Sequence, residues 1–130
     1  MIFGIGADIV EVGRMEKNLA RYGNRFARRI LTDREYLEFT RNNHPAHFLA
    51  KRFAAKEAAA KAFGTGFRNG MTLRHIAVTH DDQGRPMLEF NGEAEAYRRH
   101  CGVNESHLSL SDERRYALAF VTLVRSNHDV

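Results

Sequence analysis

Cysteine is nearly absent: Cys101 is the single thiol among 130 residues. One thiol excludes an internal disulfide and a thiolate zinc cluster, and it points to a reducing, cytoplasmic home. No His-x-x-x-His pair supplies the other common zinc chemistry. No stretch approaches the ~20 apolar residues of a membrane span, so no membrane partner is expected. The start, Met1-Ile2-Phe3-Gly4-Ile5-Gly6, has no basic leader and soon meets Asp8, which argues against a signal peptide. The glycine-rich stretch from Gly64 to Gly70 lacks the G-x-x-x-x-G-K-[ST] order and is not a nucleoside-triphosphate loop. There is no internal repeat and no linker, and the length suits one domain over residues 1–130.

What remains is ordinary for a globular protein: 43% hydrophobic and 28% charged residues. The net charge of +4 allows nucleic acid, anionic lipid or an acidic protein or substrate as partner and cannot choose among them. Ile2 to Ala7 reads as a strand with Gly4 and Gly6 interleaved. Asp8 follows, and Asp8-Ile9-Val10-Glu11 has the spacing of a capping box. Asp8 is therefore either the cap of a helix beginning near Ile9 or a strand-end acid facing a cleft.

A helix is expected from Glu11 to Tyr22, with Val12, Met15, Leu19 and Tyr22 on one face and Arg14, Lys17 and Arg21 opposite. Arg25, Arg28 and Arg29 follow, with Phe26 and Ile30 between them. This basic region reads as a solvated face or as a dock for an acidic partner. Thr32-Asp33-Arg34-Glu35 is a second capping box, opening a helix through about Arg41. Two hairpins are expected, from Ile76–Thr79 with Pro86–Phe90 and from His107–Ser111 with Tyr116–Val124, separated by a helix over Gly92–His100. The tail from Arg125 is polar and expected to fray.

The chain turns on Arg52-Phe53-Ala54-Ala55-Lys56-Glu57-Ala58-Ala59-Ala60-Lys61-Ala62-Phe63-Gly64. Rich in alanine and closed by glycine, it belongs to a long helix from about Ala46 to Phe63. At about 100° per residue, Phe48, Leu49, Phe53, Ala59, Ala60 and Phe63 share an apolar arc. Glu57 and Lys61 sit one turn apart at its edge, while Arg52 and Lys56 fall inside it. Two cations in an apolar arc point to a subunit boundary or an anionic ligand. If Asp8 meets Glu57, the two carboxylates suit Mg²⁺, with Lys61 beside it to neutralise a phosphate oxygen. That set describes phosphoryl or phosphodiester chemistry, and spacing alone leaves a transferase and a metal-dependent nuclease open.

Gly4-Ile5-Gly6-Ala7-Asp8-Ile9-Val10-Glu11 together with Arg52-Phe53-Ala54-Ala55-Lys56-Glu57-Ala58-Ala59-Ala60-Lys61 resembles the small bacterial 4′-phosphopantetheinyl transferases, the holo-[acyl-carrier-protein] synthase family. The paired motifs G-x-D-[IV] and [RK]-F-x-x-K-E-[AS]-x-x-K are specific, and the likeness extends over nearly the whole chain. The resemblance implies an α+β fold with a mostly antiparallel sheet packed on a long central helix. It implies transfer of phosphopantetheine from coenzyme A to a serine of acidic apo acyl carrier protein, releasing adenosine 3′,5′-bisphosphate, in fatty acid biosynthesis. By the same resemblance Asp8 and Glu57 hold Mg²⁺, and Lys61 contacts the pyrophosphate. The family's histidine near coenzyme A matches His107, and Arg14, Arg21, Arg25 and Arg28 meet the carrier. From the residues themselves, Arg52 is expected at a subunit boundary or coenzyme A, and Gly64 and Gly66 read as a C-cap and turn or as backbone that lets that ligand lie close. Homotrimers with sites between subunits are implied too. Larger relatives carry another acid where this chain has Val10, so two protein carboxylates are expected; metal-bound water and Glu57 are both candidates to take the serine proton.

Two alternatives stand beside this reading. A Mg²⁺-dependent nuclease with a D…E-x-K pattern would put its lysine two residues after the acid on a strand. A basic nucleic-acid-binding module would show aromatics interleaved with basic residues on a sheet face, which the hairpins do not show clearly.

Overall fold

In chain order the elements are β1 (Ile2–Glu11), α1 (Val12–Tyr22), α2 (Asn24–Ile30), α3 (Asp33–Thr40), α4 (Pro45–Phe63), a 3₁₀ turn (Leu73–His75), β2 (Ile76–His80), β3 (Pro86–Phe90), α5 (Gly92–Cys101), β4 (Glu105–Asp112) and β5 (Tyr116–Val124). They belong to a computed structural model that describes residues 1–68 and 70–126. The expected polar tail after residue 126, and Asn69 of the glycine-rich stretch, lie outside the described residues. The tail's first residue is tied down rather than frayed. Arg125 donates two guanidinium hydrogen bonds to the Cys101 carbonyl, at 2.6 and 2.9 Å, and its backbone pairs with Met1.

Pro45 opens α4 in the first turn, where no N–H partner is needed, and Gly64 closes it at φ +85°. On one side α4 lies across β1 and β5; on the other it meets α1, α2 and α3. Consequently Ala50, Ala54, Ala55, Ala58 and Ala62 are buried along with Phe48, Leu49, Ala59, Ala60 and Phe63 of the arc, while its Phe53 is half-buried. The central helix is as expected, but its burial reaches beyond the arc: α4 is enclosed on nearly every side, and its alanines are what let five neighbours approach. Leu49 of α4 and Ile76, Val121 and Leu123 packed around the helix are fully buried, each contributing about 1.5–3 kcal/mol by leaving water.

The two sheets are antiparallel: β1-β5-β4 and the hairpin β2-β3. Both expected hairpins are present, and β1 joins the second through β5. The β1–β5 ladder runs to Glu11 opposite Tyr116, so residues 8–11 are extended. This corrects the capping-box reading of Asp8. Ladder hydrogen bonds hold the backbone past Asp8, and α1 starts only at Val12, whose N–H donates to Arg115 O. The capping box at Thr32 and Glu35 is as expected, with both reciprocal hydrogen bonds formed.

Alternation sorts the three-stranded sheet into two faces. Gly4, Gly6, Asp8 and Val10 turn toward α4, as do Ala117, Ala119, Val121 and Leu123 of β5. The other face carries Ile5, Ile9, Leu118 and Phe120, which are 44–62% exposed. Among the described residues no helix is long and apolar enough to cross a membrane.

Candidate active site

The site is assembled where the inward face of β1 meets the C-terminal half of α4. Asp8 follows Gly6 on the inward pleat and is opposite Ala119, so its carboxylate faces the helix. Lys61 stands one turn after Glu57 and reaches the strand. Its ammonium donates to Asp8 Oδ1 at 2.8 Å and to the Ala7 carbonyl at 3.2 Å. The pair is partly sheltered, with side-chain exposures of 51% for Lys61 and 16% for Asp8. Lys61 therefore serves the strand acid across the interface; the simple surface pair with Glu57 that its spacing suggests is not what forms.

Glu57 holds its proton more firmly than an ordinary glutamate. Burial is the larger cause, the negative charge of Asp8 the second, and Lys61 partly opposes both. The charge of Asp8 therefore reaches Glu57 across the strand–helix contact. Among the described residues no group of three or more His, Cys, Asp or Glu converges on one point. Two hard oxygen donors on facing elements fit Mg²⁺, which typically takes one or two carboxylates and completes its shell with water and substrate phosphates. The helical placement of Lys61, four residues after Glu57, also departs from the strand-borne lysine a nuclease of the D…E-x-K type would need.

Arg52 and Lys56 find their anion inside the chain. Lys56 is fully buried and donates to Glu35 Oε1 at 2.6 Å, Ile30 O at 2.7 Å and Leu73 O at 3.1 Å. Loss of hydration pushes its pKa down to about 8, against the pull of Glu35. Arg52 lies 3.5 Å from both Glu35 and Glu38 and stacks over Phe48. The expectation that these cations mark a subunit boundary or coenzyme A is corrected to that extent: Glu35 of α3, the capping-box acid, is their counter-charge. The sequence shows Glu35 as a cap and gives no local sign of this second role. One edge of Arg52 still walls a groove of about 440 Å³ with Arg41, Lys51 and His80, three residues that sequence reasoning passed over.

The remaining expected residues are dispersed. Gly64 and Gly66 have φ of +85° and +62°, and a Cβ at either would meet nothing within 4 Å, leaving their backbone open on that side. His107 lies opposite Thr122 on the outward sheet face, 3.3 Å from Glu105, so within one chain it does not face Asp8. Arg14, Arg21, Arg25 and Arg28 are exposed on α1 and α2, and among the described residues none pairs with a carboxylate. Arg21 and Arg25 line a groove of about 490 Å³ with Tyr22, Phe26 and Arg29. Arg28 instead stacks over Tyr36, 4.1 Å from its ring centre. Arg29 was visible in the sequence only as part of the general run of positive charge.

Residues 4–121 match the sequence model of the 4′-phosphopantetheinyl transferase superfamily. A holo-[acyl-carrier-protein] synthase of Nitrosococcus oceani is 58% identical over 124 residues, covering 95% of this chain and 80% of that protein. The crystal structure of the holo-[acyl-carrier-protein] synthase from Neisseria meningitidis superposes with a TM-score of 0.91 at 44% identity, over 95% of this chain and 99% of that one. A holo-(acyl-carrier-protein) synthase from Bacillus anthracis, solved in complex with CoA (3′,5′-ADP), is 38% identical with a TM-score of 0.80, over 97% and 99% of the two chains.

Proposed function

The chain belongs to the 4′-phosphopantetheinyl transferase superfamily and moves phosphopantetheine from coenzyme A to acyl carrier protein; we propose that Asp8, Glu57 and Lys61 are the centre of that transfer. We further propose that it works as a single domain in the cytoplasm, supplying carrier protein for fatty acid biosynthesis. The observation that carries the proposal is the convergence of the two acids and the lysine: Lys61 at 2.8 Å from Asp8, and Glu57 with its proton affinity raised by burial and by Asp8.

Asp8 and Glu57 would hold Mg²⁺, which supplies positive charge against the pyrophosphate of coenzyme A. Lys61, half exposed and already directed at Asp8, neutralises the phosphate oxygen that takes up charge as the bridge breaks. The carrier serine Oγ forms a bond to the β-phosphorus while the bond from that phosphorus to the bridging oxygen breaks. The electron pair leaves with adenosine 3′,5′-bisphosphate and the hydroxyl proton is released. In the groove that Arg52 walls with Glu38, Arg41, Lys51 and His80, Arg41 and Lys51 take another phosphate of coenzyme A, and Arg52, held by Glu35 and Glu38, adds its charge from behind. Gly64 and Gly66 let that ligand lie against open backbone.

Arg14, Arg21, Arg25 and Arg28 steer the acidic carrier, and Phe26 and Tyr22 in the α1–α2 groove supply the apolar anchor. The working enzyme is a homotrimer. Support for this is the outward face of Ile5, Ile9, Leu118 and Phe120, a contiguous apolar surface of the kind that marks an interface. His107 lies on that face, where it can serve the site of a neighbouring subunit rather than its own.

Intact-mass measurement of apo carrier incubated with coenzyme A and Mg²⁺ tests the centre. Asp8→Asn and Glu57→Gln should each reduce phosphopantetheine transfer at least about 10²-fold while thermal unfolding stays at the wild-type temperature. Wild-type transfer by either variant at saturating Mg²⁺ rules the centre out.

A further inference from the structure

We propose that Gly6 is a positioning residue whose missing side chain seats β1 directly on the α4 backbone and thereby sets the gap between Asp8 and Glu57 to suit a small divalent cation. The proposal rests on the Asp8–Glu57 reading above. An ideal Cβ at Gly6 would stand 2.1 Å from the Ala58 carbonyl oxygen, 2.7 Å from the Ala62 nitrogen and 3.0 Å from Lys61 Cβ. At Gly4 it would stand 1.9 Å from the Ala62 carbonyl oxygen. The nearest of these atoms are helix backbone, which cannot swing aside.

Neither Gly4 nor Gly6 is among the glycines with positive φ, so backbone conformation does not call for glycine at either place. Glycine inside a strand weakens it, so the close approach is what the residue provides. Gly6 and Asp8 share one face of the pleat, and Ala58 follows Glu57 within the turn of α4 that ends at Lys61. The contact that Gly6 allows is thus the contact that fixes the strand acid against the helix acid. A relaxed carbon–oxygen separation is about 3.3 Å, so a Cβ at Gly6 drives the strand off by ~1 Å. Mg²⁺ demands near-octahedral bonds of about 2.0–2.1 Å, whereas Ca²⁺ accepts about 2.3–2.6 Å in flexible geometry. Widening the gap therefore penalises Mg²⁺ more than Ca²⁺.

The test is calorimetric titration of Mg²⁺ and of Ca²⁺ into the chain saturated with coenzyme A, with thermal unfolding recorded for every variant. Gly6→Ala should weaken Mg²⁺ at least tenfold and Ca²⁺ less than threefold. Gly4→Ala meets an equally close backbone clash two residues farther from Asp8; it should lower the unfolding temperature similarly yet leave Mg²⁺ within threefold. The double variant Gly6→Ala with Asp8→Glu, whose longer arm spans the widened gap, should regain Mg²⁺ binding. Asp8→Glu alone, which needs no tolerance of the clash, should lose it. Equal loss of both cations in Gly6→Ala, loss in Gly4→Ala matching that in Gly6→Ala, or full Mg²⁺ binding by Asp8→Glu alone overturns the proposal. Asp8→Asn separates the two claims. If it keeps full Mg²⁺ binding, the carboxylate pair itself is wrong; if it loses binding and Gly6→Ala does not, only the role of Gly6 falls.

Discussion

At Glu57 the neutral carboxyl is favoured first by burial and then by the charge of Asp8. In the metal-free chain the folded state therefore keeps a proton that the unfolded state releases, over the interval from the ordinary 4.5 up to the raised value. The stability this residue contributes is fully present below 4.5 and is lost as pH rises through the folded value. Asp8→Asn removes the second cause and leaves the first. Carbon-13 NMR of the side-chain carboxyls should show the Glu57 midpoint falling in that variant while staying above 4.5. A midpoint that does not move would mean the two carboxylates are too far apart to share an ion. Glu57 and Lys61 were legible in the sequence as one helical turn of spacing. Their relation to Asp8 entered only as a supposition and through the family resemblance, because it depends on a strand crossing the helix at a distance of 53 residues along the chain.

Among the elements, α4 carries most of the consequences. Its enclosure on both sides explains why its two interior cations need a buried counter-charge. Glu35 accepts from Lys56, from Arg52, from Thr32 N and from Val78 N, joining α3, α4 and β2 at one carboxylate. Among the described residues no buried side-chain polar atom is left without a partner. Lys56→Met takes away the closest counter-charge of the fully buried Glu35, leaving it Arg52 at 3.5 Å and two backbone N–H groups, and should cost about 3–5 kcal/mol of unfolding free energy in urea titration. Arg85→Met, at an exposed pair 3.9 Å from Asp81, should change it by less than about 1 kcal/mol. Equal effects would mean that the buried cluster is not a structural node. The helix itself was readable from alanine content, the Gly64 stop and the absence of β-branched residues. Its surroundings were not, because small side chains say only that neighbours can come close, and Glu35 announced a cap rather than an ion pair.

For the whole molecule, the sheet divides the chain's surfaces by purpose. Its inward face holds the acid that meets α4, and its outward face is apolar enough to need cover. If the trimer buries that face, Phe120→Glu should yield a monomer by sedimentation or light scattering, with the far-ultraviolet circular dichroism retained and transfer largely lost because His107 no longer reaches a neighbour. A monomeric variant with wild-type transfer would place the complete site within one chain. Most strands and helices could be read in advance from apolar alternation and turn residues; α2 over Asn24–Ile30 was seen only as a basic run, and the extent of β1 past Asp8 was misjudged. There a local capping pattern lost to ladder pairing with β5, a partner more than 100 residues away in sequence. What most directly tests the proposed centre is the anomalous scattering of Mn²⁺ in crystals grown with coenzyme A. A single peak bridging Asp8, Glu57 and the pyrophosphate is expected. A peak elsewhere, or none near these two carboxylates at saturating Mn²⁺, would contradict the assignment of the metal and with it the mechanism.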